Sequence, residues 1–149
     1  MIRIDLEFRR SNGAPITYKG KTLVMQDAYE VPIGVSKLRF AIVSVNSEWR
    51  QGIRLETDGH FWFGDLKVGP VVVLWQDTAP RTDEFACSSR TGKIKVRNVW
   101  DTGTGTVESW YGNAAMIVSE KANGRRYDCN DGHFDEDFTD IIFEIETIG

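Results

Sequence analysis

The chain is poor in the residues that most metal and redox chemistry uses. It has two cysteines, Cys87 and Cys129, and two histidines, His60 and His133. Two cysteines are too few for a disulfide scaffold, and the sequence leaves open whether they pair. Neither sits in a Cys/His spacing that holds zinc. No apolar run reaches membrane-spanning length, and no signal peptide is read. The expectation is synthesis in the cytoplasm, with export by a route that needs no signal peptide left open. Basic charge is also scarce: 18 Lys and Arg stand against 22 Asp and Glu, a formal net charge of −4. That disfavours a general nucleic-acid role, which needs a basic patch. The Gly-x-Ser-x-Gly elbow, the phosphate loop and His-Glu-x-x-His are absent, and neither histidine has the context of a nucleophile's partner. No enzyme is expected.

What is present is a period of two. Met1 to Phe8 alternates apolar and charged residues, which predicts a strand with Ile2, Ile4, Leu6 and Phe8 on one face. Lys19-Gly20-Lys21 interrupts Ile16 to Met25 and predicts a hairpin. Further short runs predict strands at Ala28 to Val31, Leu38 to Val45, Gly52 to Glu56, His60 to Phe63, Val71 to Trp75, Lys93 to Val99, Ala115 to Val118 and Asp140 to Glu146. The Val-Val-Val-Leu-Trp run ending at Trp75 reads as buried. The basic-rich Arg90 to Arg97 reads as the wet face of a strand, and Thr102 to Val107 as a loop. No amphipathic helix of three turns and no long internal repeat is found. Short strands with turn signals between them predict an all-β, antiparallel, Greek-key-like β-sandwich in one domain, residues 1–149.

The densest chemistry lies in Asp128 to Asp140 (DCNDGHFDEDFTD), with six carboxylates and no Lys or Arg. Crowded carboxylates repel unless water or a cation intervenes. A hard cation such as Ca²⁺ takes about six to eight oxygen ligands, which closely spaced Asp and Asn can supply. The spacing is not that of an EF-hand: counted from Asp128, the fifth and sixth places are Gly132 and His133, and the twelfth is Thr139. Asp135, Asp137 and Asp140 form Asp-x-Asp-x-x-Asp, with Asn130 and Asp131 upstream. A solvated acidic turn is the plain alternative.

Three segments together resemble a known family, the small calcium-mediated bacterial lectins that bind fucose and mannose. They are Tyr29 to Ser47 (YEVPIGVSKLRFAIVSVNS), Ser88 to Val99 (SSRTGKIKVRNV), and Ala115 to Gly149, which runs from a penultimate strand through the acidic loop to a last apolar strand and a terminal Gly. The resemblance implies a lectin-like core over 28–149, with 1–27 as an added N-terminal hairpin. It implies one or two Ca²⁺ ions coordinated directly by sugar hydroxyls, a fucose- or mannose-type carbohydrate as partner, and a homodimer or higher oligomer. Carried over by position, Asp135, Asp137 and Asp140 match ligand carboxylates and Asn46 matches a ligand from a distant strand end. Gly149 matches a terminal carboxylate that reaches a partner subunit's site. Asn130, Asp131 and Thr139 complete the candidate metal set. Ser47, Glu48 and Trp49 match the sugar-facing loop.

The chain departs from the family pattern in ways that bear on the site. Asn130 stands where the family has Glu, one extra residue separates Gly132 from Asp135, and Thr139 replaces Asn. Fewer charged ligands mean weaker ion binding. A second reading therefore stands beside the first: a lectin-like sandwich without a metal site, serving as a protein-interaction or assembly module. A third is an ion that only stiffens the last strand.

Overall fold

Alternating burial sets most of the strands, and it is clearest in the two longest. The computed structural model describes residues 3–149. In β4 (Gly34–Val45), Ser36, Leu38, Phe40 and Ile42 are buried while Val35 and Lys37 are exposed. In β10 (Lys93–Asp101), Ile94 and Val96 are buried between exposed Lys93 and Lys95, the wet face expected of this segment. The remaining strands are β1 (Ile16–Tyr18), β2 (Lys21–Val24), β3 (Asp27–Glu30), β5 (Arg50–Glu56), β6 (Phe61–Phe63), β7 (Leu66–Val68), β8 (Val71–Trp75), β9 (Thr82–Ser89), β11 (Ala115–Lys121), β12 (Gly124–Asn130) and β13 (Ile141–Thr147).

They form two antiparallel sheets facing each other, a β-sandwich with no closed barrel. The larger sheet has nine strands in the order β1-β2-β11-β12-β13-β4-β9-β6-β7, and the smaller has four in the order β3-β10-β5-β8. One core joins them. Leu38, Phe40, Phe85, Tyr127, Phe143 and Ile145 of the large sheet pack with Tyr29, Ile53, Leu55, Ile94 and Val96 of the small one. Tyr127 and Phe143 stack at 4.8 Å. Cys87 and Cys129 are both buried and free. No helix among the described residues is long and apolar enough to cross a membrane.

The N-terminal strand expectation is corrected. Ile4–Arg10 is a helix, α1; Met1 and Ile2 lie outside the described residues. Ile4 and Phe8 are one helical turn apart as well as two strand periods apart, so the pattern fits both conformations. Asp5 and Glu7 in the first turn and Arg9 and Arg10 in the last oppose the helix dipole, and that favours the helix. Ile4 and Phe8 are buried in a second, smaller core with Leu23, Ala115 and Phe138, while Leu6 stays exposed. The predicted hairpin does form. Tyr18 faces Lys21 across a two-residue turn in which Lys19 and Gly20 both take positive φ, 50° and 77°, as a tight hairpin with right-handed twist requires. Residues 1–27 thus hold a helix, a hairpin and the first residue of β3. Strands β7, β9 and β12 are additions to the strands read from sequence, and Trp75 is half-exposed on an edge strand instead of buried.

The pairing of β13 with β4 sets the geometry at the polar end of the large sheet. Thr147 faces Leu38 and Phe143 faces Ile42, then the register slips: Ile142 faces Ser44 and Ile141 faces Val45. Val43 is the extra residue of a β-bulge, a device that re-aims side chains near strand ends.

Truncation of a core ring should be costly where both sheets meet. Phe143→Ala is expected to lower unfolding stability in urea by about 3–5 kcal/mol, whereas Ile33→Ala, at an exposed position, should stay within about 0.5 kcal/mol.

Candidate metal centre

The end of the large sheet gathers the acidic loop against the end of β4. The Asn46 N–H donates to the Asp140 carbonyl at 3.0 Å, one step beyond the last β4–β13 pair. Asn46, Ser47, Glu48, His133, Asp135, Asp137 and Asp140 line an open cleft of about 470 Å³. Carboxylate oxygens of these three aspartates lie within 4.8 Å of one another. Asn46 Nδ2 points to the Thr139 hydroxyl at 3.5 Å.

Protein groups hold the loop in this shape. Asn130 is fully buried; its Nδ2 donates to the Asp135 carbonyl at 3.0 Å and its Oδ1 accepts from the Phe138 N–H at 2.7 Å. Asn113 Nδ2 also donates to the Asp135 carbonyl, at 3.3 Å, and its Oδ1 accepts from the Ile4 N–H at 2.9 Å. Phe138 takes positive φ, 55°, and buries its ring in the second core. Along Asp135-Glu136-Asp137 the side chains alternate, as in any extended segment. Asp135 and Asp137 line the cleft, while Glu136 bonds the Tyr18 hydroxyl and pairs with Lys19 at 3.0 Å. Gly112, with φ 60°, lets a neighbouring loop touch the acidic one; a Cβ there would sit 2.0 Å from the Gly132 carbonyl oxygen.

Several candidates from sequence are placed elsewhere. Both polar ends of the Asn130 side chain serve the loop itself. Asp131 is buried and its carboxylate is taken up: Oδ2 accepts from the Ser47 hydroxyl at 2.6 Å and from Gln51 Nε2 at 3.0 Å. Its Oδ1 meets the His133 N–H at 3.0 Å and His133 Nδ1 at 2.6 Å. Trp49 stacks on the His133 ring at 3.7 Å and lies near parallel to Trp100 at 6.4 Å, outside the cleft lining. Gly149 lies at the far end of β13, where its main chain bonds Lys37. The cleft therefore brings together Asn46, Ser47, Glu48, Asp135, Asp137 and Asp140, with Thr139 beside Asn46. Sequence reasoning missed Asn113 and Gln51, single polar residues with no motif around them; only their burial marks them.

Electrostatics in the cleft are unfavourable for bare carboxylates. Asp140 is pushed up to about 7, first by burial and then by the charges of Asp131, Asp137 and Asp135; the Asp131 N–H, donating to its Oδ2 at 2.9 Å, works the other way. Asp135 is raised by burial and by Asp137 and Asp131. Among the described residues no Lys or Arg pairs with any of the three cleft aspartates. For His133, burial acts to lower the pKa, but the hydrogen bonds and charges of Asp131 and Glu48 outweigh it and the value is raised.

Oxygen donors of this kind suit a hard cation. Three carboxylates converge on the cleft and Asn46 lines it; a hard cation held there would fill its remaining positions with water or an added ligand. Asn130 and Asp131 are committed inward and add no donor to the cleft. No protein-family model matches the chain, and comparison with curated proteins and with solved structures finds no match.

This geometry has two measurable consequences. In the ion-free protein, Asp140 keeps a proton that the unfolded chain has released between about pH 4 and pH 7, so folded stability should fall as pH rises through that window. His133 acts in the same direction, since its stabilisation is complete below its unfolded pKa and is lost as pH passes its folded one. Urea titrations with chelator present should show the decline, and Asp140→Asn should flatten it; a stability that rises from pH 5 to pH 7 would contradict the assignment. Asn130→Ala, which leaves the buried Phe138 N–H without its acceptor and takes one of two side-chain donors from the Asp135 carbonyl, should cost about 1–3 kcal/mol in the same assay.

Proposed function

We propose that the protein is a calcium-dependent carbohydrate-binding protein, with one Ca²⁺ held by Asp135, Asp137, Asp140 and Asn46 and a sugar of the fucose or mannose type as its ligand. The observation that supports this reading is the convergence of three aspartates, none paired with a Lys or Arg among the described residues and with the His133 ring as their cationic neighbour, on an open cleft beside a distant asparagine. Burial that pushes Asp140 up to about 7 is a standing cost that a divalent ion would remove. Vicinal hydroxyls of a sugar can replace water on such an ion, and their stereochemistry then sets specificity. Ser47 and Glu48 line the same cleft, and in this reading they would lie beside the sugar ring. Trp49 supports His133 from below in this reading and does not stack on the ligand.

One observation favours a second reading. Asn130, Asn113 and Phe138 shape the loop without help from an ion, as a sandwich that had lost its metal and kept its fold would do. In that case the cleft is a solvated acidic surface and the module works through protein contacts.

Calorimetric titration with CaCl₂ at neutral pH separates the two. Saturable binding of one equivalent is expected, weakened at least about tenfold by Asp137→Asn, because the number of charged ligands sets affinity at such sites. A glycan array read with and without chelator should then show chelator-sensitive signals. No heat at millimolar calcium would favour the second reading, and calcium binding without any glycan signal would leave a structural ion only.

A further inference from the structure

A second cavity shares no residue with the acidic cleft. It is lined by α1, by the turn that follows the helix, by Met25 and by the segment that joins β10 to β11, and it holds about 370 Å³. Small-molecule sites span about 300–1,000 Å³ and combine apolar walls with a few polar groups. Here Phe8, Met25 and Trp110 supply apolar wall, and Asp5, Arg9 and Asn12 supply the polar groups.

Trp110 is held there against its own backbone preference. Its φ is 66°, a region that crowds Cβ and that bulky residues rarely enter. Two contacts fix the indole: its Nε1–H donates to the Met25 carbonyl at 3.1 Å, and the Arg97 guanidinium lies 4.1 Å from the ring centre. The outcome is a tryptophan 45% exposed that walls a cavity instead of filling a core. Strain of this kind persists only where the surroundings impose it, and it collects at ligand sites.

Charge selects the ligand. Both oxygens of Asp5 are taken by Arg3, at 3.1 and 2.9 Å. Arg9 lines the cavity and makes no ion pair among the described residues. Arg97, over the Trp110 ring, makes none either: it bonds Gln26 at 3.4 Å and faces Arg54 across the β5–β10 ladder. The surroundings of Trp110 thus carry unpaired positive charge in a chain whose net charge is −4. We propose that the cavity binds a small aromatic carboxylate, its ring against the Trp110 indole and the Met25 sulfur and its carboxylate on Arg9. Aromatic faces and thioethers both favour an aromatic ring. The planar guanidinium matches a carboxylate with two parallel bonds, and the Asn12 amide can add a donor. A neutral ring would leave Arg9 unused, and a cation would meet it with like charge.

Titration of the intact chain with indole-3-acetate, followed by nuclear magnetic resonance and in chelator throughout, tests this independently of any ion in the acidic cleft. The Trp110 indole N–H and the Arg9 amide should shift together and saturate. Indole-3-acetamide, which keeps the ring and loses the charge, should bind about fivefold more weakly, the scale of one partly exposed ion pair. Tryptamine should not bind. Arg9→Gln should bind acid and amide alike. Trp110→Gly, which relieves the positive φ, should keep the fold and lose the site. Should that variant fail to fold, Arg9→Gln, at an exposed position, decides the matter. Shifts that do not saturate at millimolar probe, equal affinity for acid and amide in the wild type, or a preference that survives Arg9→Gln would overturn the proposal. So would unchanged binding by folded Trp110→Gly, or phenyl phosphate binding more tightly than phenylacetate.

Discussion

The ladder between β4 and β13 is the constraint on which the site depends. It brings together segments about a hundred residues apart and ends with Asn46 bonded to the Asp140 main chain. The pairing runs the length of β13 and is held by the core face of the sheet, since Ile141, Phe143 and Ile145 are buried with Leu38, Phe40 and Ile42. A slip of one residue would turn those side chains out of the core. The bulge at Val43 is the one place where the register does change, and it lies three residues before Asn46. Core packing thereby fixes the position of a polar cleft that itself adds nothing to the core.

The N-terminal segment is more than an appendage. Its helix and hairpin enclose a second core with Phe138, Ile4 is tied through Asn113 to the Asp135 carbonyl, and Tyr18 and Lys19 draw Glu136 away from the cleft. Carboxylates that would otherwise spread apart are kept close at an electrostatic cost visible in the raised values of Asp135 and Asp140. A site held in shape before a ligand arrives loses little conformational freedom on binding, and affinity gains from that. The inward bonds of Asn130 and Asp131 belong to the same framework and keep both side chains out of the cleft.

Much of the fold was legible because half-buried strands write their period into the chain. The alternation in β4, β10 and β13, and the Lys19-Gly20 turn, correspond to what the structure contains. The helix Ile4–Arg10 was misread because residues four apart share a face in both conformations, and only the second core beneath it selects the helix. The end of β12 was hidden inside the acidic run: Asp128, Cys129 and Asn130 read as loop, yet pairing with β11 and β13 makes them strand. Trp75 read as buried because its run is apolar, and composition does not reveal that a strand lies at an edge.

The amino-acid order alone determined the all-β class, the strand periods and the grouping of Asp135, Asp137 and Asp140, because these are local properties of side-chain spacing. Only the tertiary structure decided which polar residues face the cleft. Asn130 and Asp131 sit in the same acidic run as the cleft aspartates but turn inward, where buried donors and acceptors must be satisfied. Asn46 arrives from far away through a register that a bulge adjusts. Such choices depend on which groups are buried together, and that is a property of packing between distant segments.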